Sequence, residues 1–156
     1  MFVLFQKSPK SYILSHRSKI EGYSRTRLPL FTSEEIRYIR GTSDFIAVNH
    51  YTTFYTVNDK TIRPPTKSPS SLTDSRTIVW QDDNWPIGVL SEFRTVPWGF
   101  RKVLKWLRDN YDDPDIYITE NGFAENIQNL HDKKRIDYII SYLSSLLDAI
   151  YEDGVK

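Results

Sequence analysis

Ile116-Tyr117-Ile118-Thr119, followed at once by Glu120-Asn121-Gly122, is a run of β-branched and aromatic residues stopped by a turn pair. Such a run predicts a short strand, because these side chains fit a pleated, half-buried surface. Upstream of it, Pro97 stands where a helix starts. Phe100, Val103, Leu104, Leu107 and Tyr111 then recur at helical spacing, with Arg101, Lys102, Lys105 and Arg108 between them. Asp112-Asp113-Pro114 ends that pattern. Downstream, Asp132 is placed to cap a second helix. Its Ile136, Ile139, Ile140, Leu143, Leu146, Leu147 and Ile150 form one predicted core-facing stripe before Gly154.

Farther upstream, Asp44 through Tyr51 (DFIAVNHY) is a compact apolar run ending in polar residues. That pattern suits a strand buried on both faces, as in a parallel sheet. Residues 58–86, rich in Pro, Ser, Thr and Asp, predict one long irregular loop. Thr32 and Glu35 are spaced as a capping box, Ile36 and Ile39 give an apolar side, and Gly41 ends that short helix. Residues 1–31 carry few periodic signals. The order is strand, loop, helix, strand, loop, helix, which predicts an α/β fold with a parallel sheet. Two buried-type strands cannot cover themselves or close a barrel. The chain therefore reads as an interrupted repeat, with a further strand expected to begin at Gly154-Val155-Lys156.

At 156 residues the chain has the size of one ordinary domain. Hydrophobic residues make up 39% and charged residues 26%, a folded rather than a disordered composition. A formal net charge of +1, with both signs interspersed, points to neither a nucleic-acid surface nor a membrane-binding patch. The absence of cysteine excludes disulfide and thiolate chemistry, and three scattered histidines (His16, His50, His131) do not suggest a metal site. The opening apolar run is broken by Gln6 and Lys7, short of the roughly 7–15 residues of a signal-peptide core. No stretch approaches the ~20 apolar residues of a membrane span. The 14% of aromatic residues is accounted for mostly by a large core, with the flat platforms on which pyranose C–H faces pack as the lesser reading.

In parallel α/β folds chemistry collects at the carboxyl ends of strands. Side chains alternate with period 2, which groups Ile116, Ile118 and Glu120 on one face, and Phe45, Ala47, Asn49 and Tyr51 on one face of the other strand. If both faces look inward, Glu120, Asn49 and Tyr51 meet. A phenol donating to a carboxylate holds it in place and favours its ionised form, the state a nucleophile requires. The bland alternatives stand beside this. Glu120 is also what a solvated residue before an Asn-Gly turn looks like. Asn49 and Tyr51 suit a strand end and a core, and Trp98 and Trp106 suit packing. His50 alternates away from the inferred interior.

Ile118-Thr119-Glu120-Asn121-Gly122 resembles the nucleophile signature of glycoside hydrolase family 1, the β-glucosidases and their relatives. Gly41 through Thr52 (GTSDFIAVNHYT), Tyr23 through Pro29 (YSRTRLP), Val96-Pro97-Trp98-Gly99 and the helix after Asp132 resemble family segments in the family's order. The resemblance covers residues 20–155, and it does not extend to residues 1–18, which suggests Met1 as an artificial start.

The fold implied is part of a (β/α)8 barrel, about two βα units around its sixth and seventh strands, with residues 1–156 as one incomplete barrel domain. Glu120 is implied as the catalytic nucleophile of a retaining β-glycosidase, Tyr51 as its hydrogen-bond partner and Asn49 as a substrate-binding residue. The loop around Trp80 and Trp85 lies where the family builds part of its aglycone region. The implied partner is a β-glucoside or a related small glycoside, without nucleic acid or membrane. No cofactor is implied, since two carboxyl groups suffice for this reaction. The family's acid/base motif, Thr-x-Asn-Glu-Pro, does not occur in these residues, and Ala47 stands where the family usually has glycine. The chain alone is therefore expected to lack useful turnover, with a non-catalytic remnant or sugar-binding pseudoenzyme as the alternative.

Overall fold

A computed structural model describes residues 9–27, 31–61, 77–126 and 130–156. The elements are α1 (Pro9–Ile20), α2 (Ser33–Ile39), β1 (Ile46–Asn49), β2 (Tyr55–Asn58), β3 (Thr77–Trp80), α3 (Pro97–Asn110), β4 (Ile116–Glu120) and α4 (Lys133–Tyr151). They fall into two compact units, Met1–Thr42 with Thr56–Val79, and Ser43–Tyr55 with Trp80–Lys156. Among the described residues no helix is long and apolar enough to cross a membrane.

In the first unit α1 occupies residues to which periodicity assigns nothing. Its polar and apolar residues mix without a clear 3.6-residue stripe, so the pattern is silent there. Just past it Glu21 is buried and pairs with Arg27 at 3.1 Å. The α2 capping box forms as expected. Thr32 Oγ1 accepts from Glu35 N at 3.2 Å, and Glu35 Oε2 accepts from Thr32 N at 2.7 Å. Gly41, with φ +76°, takes the left-handed turn after the Arg40 cap.

The predicted loop 58–86 needs correction. Thr77–Trp80 forms β3, which pairs with β2. Thr-Ile-Val-Trp has strong β character, but both strands are exposed throughout, so neither shows the alternation that betrays a strand. Residues 62–76 of that loop lie outside the described residues.

The second unit is built on β1 and β4, adjacent and parallel, with Ile46 beside Ile116 and Val48 beside Ile118. Ile46 N donates to Asp115 O at 2.9 Å, and Ile116 N repeats the step to Lys156 O at 3.0 Å. Helices α3 and α4 cover one face of this sheet. Phe100, Leu104, Phe123, Tyr138, Tyr142, Ala149 and Val155 form the core, with Ile116 and Ile118 packed against it. Pro97 opens α3 and Asp132 caps α4, accepting from Arg135 N at 3.2 Å. Asp112 and Asp113, after α3, have φ of 63° and 53°, a region that aspartate tolerates. Gly99 brings α3 against the segment after β1. A Cβ there would lie 2.1 Å from Thr53 Oγ1, so only glycine fits.

The buried face of α4 differs from the predicted stripe. Tyr138, Tyr142 and Ala149 are buried, whereas Ile140 is 58% and Leu143 53% exposed. Ile136, Ile139, Leu147 and Ile150 are exposed as well, and Leu146 alone of the stripe packs against the core. The tyrosines turn inward because their hydroxyls find buried partners, a gain that hydropathy does not register.

Candidate active site

The carboxyl ends of β1 and β4 meet through an irregularity. Val48 is aligned with Ile118, but Asn49 is aligned with Glu120, so Thr119 is an extra residue on β4. One inserted residue inverts the alternation beyond it. Ile116 and Ile118, before it, pack against the core formed with the helices, which corrects the expectation that they share a face with Glu120. Tyr117 and Thr119 lie on the open side, where the Tyr117 ring meets Phe45 at 4.8 Å. The inversion brings Glu120 to that open side, within reach of Tyr51.

The Tyr51 hydroxyl donates to Glu120 Oε2 at 2.7 Å. That bond, with the nearby carboxylate charge, raises the Tyr51 pKa above the usual tyrosine value. Asn49 does not touch Glu120 through its side chain. Its Oδ1 accepts from Thr119 Oγ1 at 2.5 Å, an arrangement that turns its Nδ2 into the end able to donate to a ligand. Phe93 packs edge-on against the Tyr51 ring, centroids 5.6 Å apart. Backbone bonds lace the two strand ends. His50 N donates to Glu120 O at 3.0 Å, and Asn121 Nδ2 donates to His50 O at 2.7 Å. The segment after Tyr51 is held by Thr52 Oγ1 on Arg94 O, 2.7 Å, and by Gln81 Nε2 on Thr53 O, 3.0 Å.

His50 points away from this group, as the alternation indicates, and packs between Phe100 and Tyr142 at 5.0 and 5.9 Å. Burial pushes its pKa down. Trp98 and Trp106 are not core residues; they are 39% and 48% exposed. Trp98 instead joins Tyr55, Trp80 and Trp85 in a half-exposed aromatic group, with Tyr55 5.0 Å from Trp85 and Trp85 5.8 Å from Trp98. Lys102 Nζ sits 4.8 Å above the Trp98 ring. Thr119 and Asn121 lie within the quoted motif, which assigns them no role, and Phe93 lies outside every motif. The one available signal is their adjacency in sequence to Glu120 and to the start of α3.

A family model described as Glycosyl hydrolase family 1 matches residues 8–156. The chain belongs to glycosyl hydrolase family 1. The match begins earlier than the motifs do, since motifs mark chemistry and a helix such as α1 carries none. Among similar family 1 proteins, human "Lactase-like protein" is 38% identical over 149 residues, 94% of this chain and 26% of its own length. Among solved structures, aphid myrosinase superposes with a TM-score of 0.73 at 32% identity, over 94% of this chain and 31% of its own. A rice β-glucosidase variant in covalent complex with glucose gives 0.71 at 29%, over 94% and 32%. This family 1 chain thus spans between a quarter and a third of the length of these relatives. The family's solved structures are barrels of the (β/α)8 type, and the present chain is a mixed α/β portion of that architecture.

Proposed function

We propose that this chain carries the nucleophile side of a retaining β-glycosidase site acting on β-glucosides or related small glycosides. The observation that carries the proposal is the Tyr51–Glu120 hydrogen bond, 2.7 Å, at the carboxyl ends of adjacent parallel strands in a family 1 chain. β1 and β4 then correspond to the sixth and seventh strands of the barrel, and residues 1–156 to part of one barrel domain.

With Oε2 engaged by Tyr51, Glu120 Oε1 is the oxygen placed to attack the anomeric carbon. As the new ester C–O bond forms, the bond to the aglycone oxygen breaks and that oxygen leaves with the electron pair and a proton from an acid. Water then gives a proton to the same acid/base group and attacks the anomeric carbon, the ester C–O bond breaks, and Glu120 is released as the carboxylate. The acid must stand about 5–5.5 Å from the nucleophile. No Thr-x-Asn-Glu-Pro occurs in these 156 residues, so the chain alone supplies the nucleophile and not its partner. Asn49 Nδ2 would donate to a sugar hydroxyl. Glu21, the carboxylate lining a hollow of about 210 Å³ in the first unit, is already engaged by Arg27 and offers no competing nucleophile.

The test is covalent labelling with 2,4-dinitrophenyl 2-deoxy-2-fluoro-β-glucoside, whose leaving group needs no proton. A fluoroglucosyl mass increment on the peptide bearing Glu120, abolished in Glu120→Gln, is the expected result. Labelling that persists in that variant, or never occurs, removes the proposal. The half-exposed group of Tyr55, Trp80, Trp85 and Trp98 favours a second reading, sugar binding without catalysis. In that case glucoside-induced changes in tryptophan fluorescence appear without any labelling.

A further inference from the structure

Tyr51 lies two residues beyond the end of β1, where the ladder no longer supplies partners for its backbone. Its carbonyl oxygen is nevertheless doubly engaged. Tyr138 Oη donates to it at 2.9 Å and Tyr142 Oη at 3.1 Å. A carbonyl oxygen has two lone pairs, so these two phenols saturate it. The donors are four residues apart on α4, stacked with centroids 4.2 Å apart, and only 1% and 2% exposed. Rings packed in this way cannot swing aside. Burial raises both phenol pKa values, and both groups stay protonated donors through the neutral range.

Asn121 closes the circuit. Its Nδ2 donates to Tyr138 Oη at 2.9 Å as well as to His50 O, and it follows Glu120 directly. Tyr142 Oη also accepts from Val96 N at 3.2 Å, which ties in the start of α3. Packing alone does not call for these hydroxyls. Phenylalanine would fill nearly the same volume without burying a polar group, and α4 has aliphatic residues in plenty on its exposed face.

We propose that Tyr138 and Tyr142, coupled to Glu120 through Asn121, are positioning residues that fix the backbone of Tyr51 so that its hydroxyl reaches Glu120 Oε2. Neither touches the reacting atoms. Their catalytic consequence rests on Glu120 being the nucleophile, whereas the coupling to Tyr51 does not.

The experiment uses the full chain with tyrosine labelled at Cζ with carbon-13, Tyr51→Phe identifying the Tyr51 resonance. In Tyr138→Phe the Tyr51 resonance should titrate at lower pH than in the unaltered chain, towards an ordinary tyrosine. Labelling of Glu120 by the fluoroglucoside should slow by about ten-fold or more, since small misplacements of reacting groups are costly. In a Tyr51→Phe background the same substitution should change the labelling rate less than about two-fold, the non-additivity of residues acting through one another. Tyr142→Phe retains the Tyr138 and Asn121 bonds and should move the resonance the same way by less. It carries the measurement if Tyr138→Phe does not fold.

A Tyr51 resonance that stays put while only the melting temperature falls, or effects that multiply in the Tyr51→Phe background, would overturn the positioning role. A moving resonance without labelling of any variant keeps the positioning role and removes the glycosidase proposal. Equal labelling rates with an unmoved resonance do the reverse.

Discussion

Tyr51 and Glu120 are 69 residues apart in sequence, yet their side chains share a hydrogen bond of 2.7 Å. The parallel pairing of β1 with β4 creates that proximity, and the extra residue Thr119 sets its final orientation. Glu120 raises the Tyr51 pKa, first by accepting its proton in a hydrogen bond and also by its charge. Glu120→Gln should therefore bring the Tyr51 titration down towards the usual tyrosine value, read from the Cζ resonance. An unchanged titration would mean that the bond does not persist in solution.

Burial lowers the His50 pKa, so the unfolded chain binds that proton more tightly than the folded one. The stability this contributes is complete above the unfolded value of about 6.5 and is lost as pH falls through the lower folded value. The urea midpoint should drop as pH falls below about 6.5. His50→Phe, which keeps a ring against Phe100 and Tyr142, should flatten that part of the profile. An equally steep profile in the variant would assign the effect to other groups.

Gly99 is fixed by a contact rather than by its backbone angles. A methyl group there would meet Thr53 Oγ1 at 2.1 Å, with Thr53 Cβ and Cγ2 at 2.7 Å. Gly99→Ala should destabilise by about 1–3 kcal/mol, the usual cost of overpacking. Gly99→Ala combined with Thr53→Ala should recover part of that loss. Chemical denaturation of the two variants checks this, and equal midpoints would refute it.

The exposed aliphatic face of α4 should drive self-association of the chain. Ile140→Glu and Leu143→Lys alter residues that are 58% and 53% exposed, and each should cost no more than about 0.5 kcal/mol of stability. Both should move the elution volume of concentrated samples towards that of a monomer. Elution as a monomer without any substitution would show that the face is tolerated by water.

Much of this is legible in the residues themselves. The capping box at Thr32, Pro97 at the start of α3 and Asp132 at the start of α4 stand where local chemistry puts them. The proximity of Tyr51 to Glu120 followed from period-2 alternation at two strand ends. Unbroken alternation, however, groups Glu120 with Ile116 and Ile118, whereas those two face the helices and the extra residue at Thr119 reverses the alternation after them. No local signal announces such a residue, because it depends on pairing with a distant strand. The buried face of α4 is hidden from a count of apolar residues for a related reason. Counting aliphatic residues favours Ile140 and Leu143, while Tyr138 and Tyr142 win burial through a carbonyl 87 and 91 residues away. β3 was overlooked because both its faces are exposed, and α1 because its polar residues carry no period.

The step from Ile46 N to Asp115 O recurs from Ile116 N to Lys156 O, at 2.9 and 3.0 Å. The segment after α4 thus presents a backbone acceptor to β4 just as the segment after α3 presents one to β1. A structure grown by such a rule is modular in the strict sense, because the instruction for placing each new module is carried by the previous one. Its architecture can then lengthen by duplication without inventing a new joint.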